Sequence, residues 1–186
     1  MYYFPTRQEM MAAVTKPESK ICEVGVFRGE FANFLANLKP SLLVLVDPWN
    51  GILTSGDADG NNVTQVNGEE VYKSISEQTK GVPFLEVLRA KSETVLPKFP
   101  DEYFDVIYID GDHSFEGCSK DLELARKKVK KGGWICGHDY EMNELKAKNV
   151  YYFGVNQAVD VFCAKYGLKI RALGLDGCVS YAIPNL

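Results

Sequence analysis

Two unbroken apolar runs, LLVLV at residues 42–46 and VIYI at residues 106–109, constrain this chain most. A strand with one wet face alternates apolar and polar residues. A strand without that alternation is buried on both faces, which a parallel sheet covered by helices provides. Seven segments have strand composition: Ile21–Val26, Ser41–Asp47, Pro83–Arg89, Phe104–Asp110, Gly133–Gly137, Leu168–Leu173 and Cys178–Ile183. The last follows the sixth across Asp176-Gly177, a hairpin dipeptide, so it is expected to run antiparallel.

Helical stripes fill the intervals. Phe31, Phe34, Leu35 and Leu38 share one face, and Cys118, Leu122, Ala125 and Val129 another. Val155, Ala158, Val159, Phe162, Cys163 and Tyr166 form a third stripe, closed by Gly167 as a left-handed cap. A weaker helix covers Glu69–Thr79, and Thr6 with Glu9 has capping-box spacing. The expectation is an α/β, doubly wound domain over residues 1–186. Its sheet is mostly parallel and seven-stranded, with an antiparallel C-terminal strand and an N-terminal helix or arm over 1–19. Residues 50–68 and 141–153 follow strand carboxyl ends, where such folds place ligands, and are read as substrate-site loops. Asp57, Asp59 and Asn61 begin an EF-hand spacing. Asn62 and Gly68 stand where that motif needs Gly and Glu, which excludes calcium there.

Composition narrows the function. A formal net charge of −4 on 186 residues does not suit a nucleic-acid backbone. No apolar run nears the ~18 residues that span a bilayer, and MYYFPTRQEM lacks a signal-peptide pattern. The five cysteines are odd in number, lack C-x-x-C spacing and sit in apolar patterns, as reduced thiols of a cytoplasmic protein do.

Chemistry concentrates at strand ends. Glu23-Val24-Gly25-Val26-Phe27-Arg28-Gly29-Glu30 ends a strand and opens a helix. Its glycines let backbone approach a ligand. The spacing is not the G-x-G-x-x-G of a nicotinamide-dependent oxidoreductase, and Glu30 in the first helical turn would repel a pyrophosphate. Glu23 suits a cationic ligand. Asp47, 24 residues later, ends the next strand, where a carboxylate can accept both hydroxyls of a ribose. The fourth strand ends YIDGDHSFEG (108–117) and the fifth ICGHDY (135–140). Adjacent strands lie ~4.8 Å apart, so Asp110, Asp112, Asp139 and both histidines, His113 and His138, should converge. Such carboxylates repel one another, and a hard divalent cation relieves this.

The pattern E-x-G-x-x-x-G with a strand-terminal Asp resembles the S-adenosylmethionine site of class I methyltransferases, over residues from about 20 to 184. The resemblance implies that Gly25 and Gly29 flank the methionine part of the cofactor, within a binding loop that includes Glu23, Val26 and Phe27. It implies that Asp47 binds the ribose, and that Pro48 and Trp49 border sugar and adenine. Lys91 and Ser92 would meet the adenine amino end, unless Ser92 is a helix N-cap. Asp110, with Gly111, would face the methionine amino group. D-G-D-H-S-F-E-G followed by G-H-D-Y further resembles the branch of macrocin-type sugar O-methyltransferases, often dependent on magnesium or manganese. The implied metal ligands are Asp110 or Asp112, His138 and Asp139, and the implied catalytic residues are His113, His138 and Asp112, with one histidine as the base. Catechol-type enzymes have an acid–amide pair where this chain has His138-Asp139, so a metal-free site with a histidine base is the alternative. The acceptor is a small molecule, a sugar among the options, and the family suggests a homodimer. Tyr2, Tyr3, Phe4, Tyr151, Tyr152 and Phe153 either form a lid or pack at the sheet edge. The rival readings are a catalytically silent nucleoside-binding module, a nicotinamide-dependent oxidoreductase and a metal-dependent hydrolase.

Overall fold

The computed structural model describes residues 1–55, 64–140 and 154–186. Ten strands appear there: β1 (Tyr2–Phe4), β2 (Lys20–Val24), β3 (Leu42–Asp47), β4 (Ile52–Ser55), β5 (Thr64–Asn67), β6 (Leu85–Arg89), β7 (Phe104–Ile109), β8 (Val129–Gly137), β9 (Ala172–Gly174) and β10 (Ser180–Pro184). The helices are α1 (Arg7–Val14), α2 (Glu30–Asn37), α3 (Gly68–Thr79), α4 (Ser92–Val95), α5 (Phe115–Lys128) and α6 (Val155–Tyr166). Eight strands form one sheet in the order β1-β9-β10-β8-β7-β2-β3-β6. All neighbours are parallel except the two pairs made by β10.

The apolar runs are explained by two cores. Along β2 and β3, Ile21, Leu43 and Leu45 face one side, with Met10, Met11, Phe31 and Leu35 of α1 and α2. Cys22, Val44 and Val46 face the other, with Leu122 of α5 and Val159 and Phe162 of α6. Both faces are dry, so neither set can be polar. Register then places the site. Val24 pairs with Val46 and with Ile109, and Ile109 pairs with Gly137. The loops leaving β2, β3, β7 and β8 therefore start side by side at one sheet end.

Four differences from the expected elements have physical causes. The sheet has eight strands, because Tyr2–Phe4 adds a short parallel edge to β9; this settles Tyr2, Tyr3 and Phe4 as sheet edge. Strand β8 begins at Val129, four residues before the expected Gly133, with Lys130 held by Asp105 Oδ1 at 2.6 Å beside a register shift in β7. Strands β9 and β10 are joined through residues 175–179 and not by a two-residue turn. Asp176 is engaged elsewhere: its carboxylate accepts the Arg7 N–H at 2.6 Å. Within 50–68, β4 and β5 pair antiparallel. Asp57, Asp59, Asn61 and Asn62 lie outside the described residues, as do 141–153 with Tyr151, Tyr152 and Phe153. The five cysteines form no disulfide, and no helix among the described residues is long and apolar enough to cross a membrane.

Leu45 is buried at the centre of this sheet. Leu45→Ala is expected to cost ~2–5 kcal/mol in denaturant unfolding, through lost burial and an unfilled cavity.

Candidate functional site

The loop after β2 is bent through three residues of positive φ, Gly25 (85°), Phe27 (50°) and Gly29 (83°). Gly25 is a steric necessity. Its N–H donates to Val46 O at 2.9 Å, Asp110 N–H donates to Val24 O at 2.7 Å, and a Cβ on Gly25 would lie 2.0 Å from Asp110 O. The loops after β2 and β7 thus touch backbone to backbone, where any side chain would separate them.

Phe27 lacks that freedom, and a non-glycine residue in this region costs ~1–3 kcal/mol. Asp47 opposes the cost. Its Oδ2 accepts the N–H groups of Val26 (2.9 Å) and Phe27 (3.1 Å), and its Oδ1 that of Trp49 (2.7 Å). The Trp49 indole donates back to Phe27 O at 2.9 Å, and its ring is buried, 5.4 Å from that of Tyr72. Arg89 closes the outer side. It donates to Trp49 O at 3.2 Å, stacks on Tyr72 and pairs with Glu69. The carboxylate assigned from sequence to a ribose is therefore first a clamp on the glycine loop. Trp49 braces that loop from the core.

Behind the bend, Glu23 is buried opposite Tyr108. Its Oε2 has no hydrogen-bond partner among the described residues. Burial drives the Glu23 carboxyl well above the usual range, Asp110 pushes the same way, and Arg7 opposes both. Arg7 enters from α1. Its guanidinium lies 3.6 Å from Asp110 Oδ2 and 4.5 Å over the Phe31 ring.

His113 links two loops. Its Nε2 is 3.3 Å from Asp110 Oδ1 and 3.3 Å from Asp139 Oδ2. Burial pulls the imidazole pKa down, and the carboxylates of Asp110 and Asp139 outweigh it, so the net shift is upward. Asp110, His113 and Asp139 each present one ligand atom within 4.8 Å of the others, and so do His138, Asp139 and Cys178. Two carboxylate oxygens and an imidazole nitrogen form a donor set that fits a divalent cation.

The expected ligand set is rearranged. Asp110 and Asp139 come together around His113, not around Asp112. Asp112 is turned to the start of α5, where its Oδ1 accepts the Ser114 N–H at 2.9 Å; those bonds hold its carboxyl below the usual range. Ser114 caps the same helix through Gly117 N–H at 3.0 Å. His138 is seated by Ser180, with Nδ1 2.7 Å from Oγ, and Ser180 in turn lies 3.0 Å from Tyr108 Oη.

On the other flank, Ser92 is the first residue of α4 and Lys91 its N-cap, without a side-chain cap bond. The Ser92 hydroxyl donates to Asp121, so it does not cap the helix. Asp121 is buried and its carboxyl is pushed up to about 6 by burial, with Ser92 pulling it down. Gly111 packs beside it, where a Cβ would lie 3.7 Å from Asp121 Oδ2. Arg7, Tyr108, Asp121 and Ser180 were not among the sequence candidates. Each lies in an element whose local pattern reads as ordinary core or surface, and only the sheet order brings it to the site.

A family model described as a methyltransferase domain matches residues 22–140. No curated protein matches the chain. Among solved structures, the O-methyltransferase of Bacillus cereus in complex with S-adenosylhomocysteine is 16% identical, with a TM-score of 0.62, over 95% of this chain and 78% of that one. The N-methyltransferase NodS of Bradyrhizobium japonicum, in complex with the same ligand, is 13% identical, with a TM-score of 0.66, over 96% and 84%. The ribosomal protein L11 methylase of Lactobacillus delbrueckii subsp. bulgaricus is 14% identical, with a TM-score of 0.59, over 95% and 75%. At these identities the likeness is one of fold, and the three act on different acceptors.

Asp47→Ala removes the acceptor of three N–H groups. It is expected to cost ~2–4 kcal/mol of stability, on the scale of bonds to a charged group. It is also expected to speed amide exchange at Val26, Phe27 and Trp49. Unchanged exchange at those amides would refute the clamp.

Proposed function

The chain belongs to the methyltransferase-domain family, and from that we propose that it transfers the methyl group of S-adenosylmethionine to an oxygen of a small hydroxylated acceptor, a sugar among the options. The observation that carries the oxygen reading is the cluster of Asp110, His113, Asp139 and His138 beside the glycine loop. A sulfonium methyl is already electrophilic. What remains is to hold the acceptor in line and remove its proton, and a hydroxyl needs that help at neutral pH.

The cofactor lies across the loop after β2. Its cationic end is favoured by Asp110, whose backbone touches Gly25, and the buried Glu23 offers it an unpartnered oxygen. Gly25, Val26, Phe27 and Gly29 offer backbone to the methionine part, with Gly111 facing them. Asp47 meets the ribose with reduced capacity. A carboxylate has about four acceptor sites, and three N–H groups occupy Asp47, so it serves one ribose hydroxyl and not both. Pro48 and the Trp49 backbone border the sugar, and Lys91 with Ser92 the adenine.

Asp110, His113 and Asp139 would hold magnesium or manganese, and a cation bound there lowers the pKa of the acceptor hydroxyl and fixes its position. His138 takes the proton. Ser180 holds its Nδ1, which leaves Nε2 as the accepting atom. Asp112 shapes the loop from the helix start and touches neither acceptor nor cation.

Methyl transfer from labelled S-adenosylmethionine to a panel of hydroxylated small molecules tests this. His138→Gln is expected to lower kcat by ~10²–10⁴, the usual contribution of a general base. Asp139→Asn and chelation are expected to abolish the cation-dependent part. Full turnover in chelator removes the cation, methyl recovered on nitrogen removes the oxygen acceptor, and cofactor binding without any turnover leaves a nucleoside-binding module.

A further inference from the structure

The acidic character of this site creates a problem that one side chain resolves. Glu23 is buried with an oxygen left over, and burial, with the negative field that Asp110, Asp47 and Glu30 set around it, pushes its carboxyl well above the usual range. That field favours a sulfonium and an ammonium. The methionine end of the cofactor also carries a carboxylate, which the same field repels. A zwitterion bound here needs a cation within reach. Arg28 is not that cation: half its side chain is exposed. Arg7 is the basic group whose charge reaches Glu23.

Its placement is built, not incidental. The Arg7 N–H is held by Asp176 Oδ1 at 2.6 Å. Thr6 caps α1, accepting the Glu9 N–H at 3.1 Å. Gly174 allows close approach, since a Cβ there would lie 2.8 Å from the Arg7 Cα. The guanidinium lies over Phe31 at 4.5 Å. Stacking covers its face, Tyr108 takes part of its donor edge, and the remaining in-plane donors are left for a ligand. It also borders Tyr108. Asp110 Oδ2, at 3.6 Å, is beyond hydrogen-bond distance, so the charge is not spent in a tight internal pair. A carboxylate and a guanidinium side by side match the ammonium and carboxylate of an α-amino acid.

We propose that Arg7 receives the α-carboxylate of the cofactor's methionine, which makes the N-terminal helix a wall of the cofactor site. This rests on the methyltransferase reading above. Asp110 then takes the ammonium, and Arg7 pairs with the carboxylate through two parallel N–H bonds. The residue is specificity-determining: it separates an amino-acid-bearing nucleoside from one that lacks the acid.

The test is titration calorimetry on the full chain with S-adenosylmethionine and with its decarboxylated form, which keeps the sulfonium and amine. The native protein is expected to prefer the carboxylated ligand by at least about tenfold, the scale of a charge-assisted pair. Arg7→Met is expected to lose that preference while binding the decarboxylated ligand as the native protein does, which also shows that it is folded. Arg7→Lys is expected to restore part of it. A preference unchanged in Arg7→Met, or equal weakening of both ligands, overturns the proposal and leaves Arg7 a structural residue. Native protein that binds neither ligand overturns the cofactor reading itself.

Discussion

Three backbone N–H groups on one carboxylate hold this site open. Asp47 stands at the end of a strand buried on both faces, so its position is fixed by the core beneath it. From there it clamps Val26, Phe27 and Trp49 and stabilises a positive φ that Phe27 would otherwise resist. The bent loop brings Gly25 against the Asp110 carbonyl. That contact sets the spacing between the loop that would cradle a cofactor and the loop that carries the chemistry. The sheet, the clamp and the glycine act in series: an added side chain at Gly25 or a lost acceptor at Asp47 would displace everything downstream.

The second organising feature is an excess of negative charge in a half-buried space. Asp110 and Asp139 converge on His113, with Glu23 buried near Asp110, and unscreened repulsion there is costly. The protein answers with imidazole and guanidinium. His113 bridges Asp110 and Asp139, and Arg7 flanks Asp110 from the opposite side. In the proposed reading each also faces a ligand, a divalent cation in one direction and a zwitterion in the other. The Tyr108–Ser180–His138 chain joins the two regions through the core of the sheet.

Much of this was legible from local pattern. Apolar runs without alternation gave away strands dry on both sides, and glycine spacing with Asp47 marked the bent loop that Asp47 clamps. Three-residue β1 was missed because Tyr2–Phe4 is too short to show a period, and its pairing with β9 is set by distant residues. Asp176 followed a hairpin rule that tertiary demand overrode, since its carboxylate is used to seat α1. Asp112 looked equivalent to Asp110 in sequence. Two residues further along, it accepts the N–H of Ser114, the N-cap of α5, and that bond claims it. Arg7 was invisible for a different reason: it is ordinary helix-start composition, and only the sheet order carries it across to Glu23.

The claim at the centre is that a sulfonium nucleoside occupies the bend between β2 and α2. Amide NMR of the labelled full chain during titration with S-adenosylmethionine reads it directly. Saturable shifts concentrated at residues 25–29, 49 and 110–111 are the expected result. Shifts gathered elsewhere, or none at saturating ligand, would contradict it.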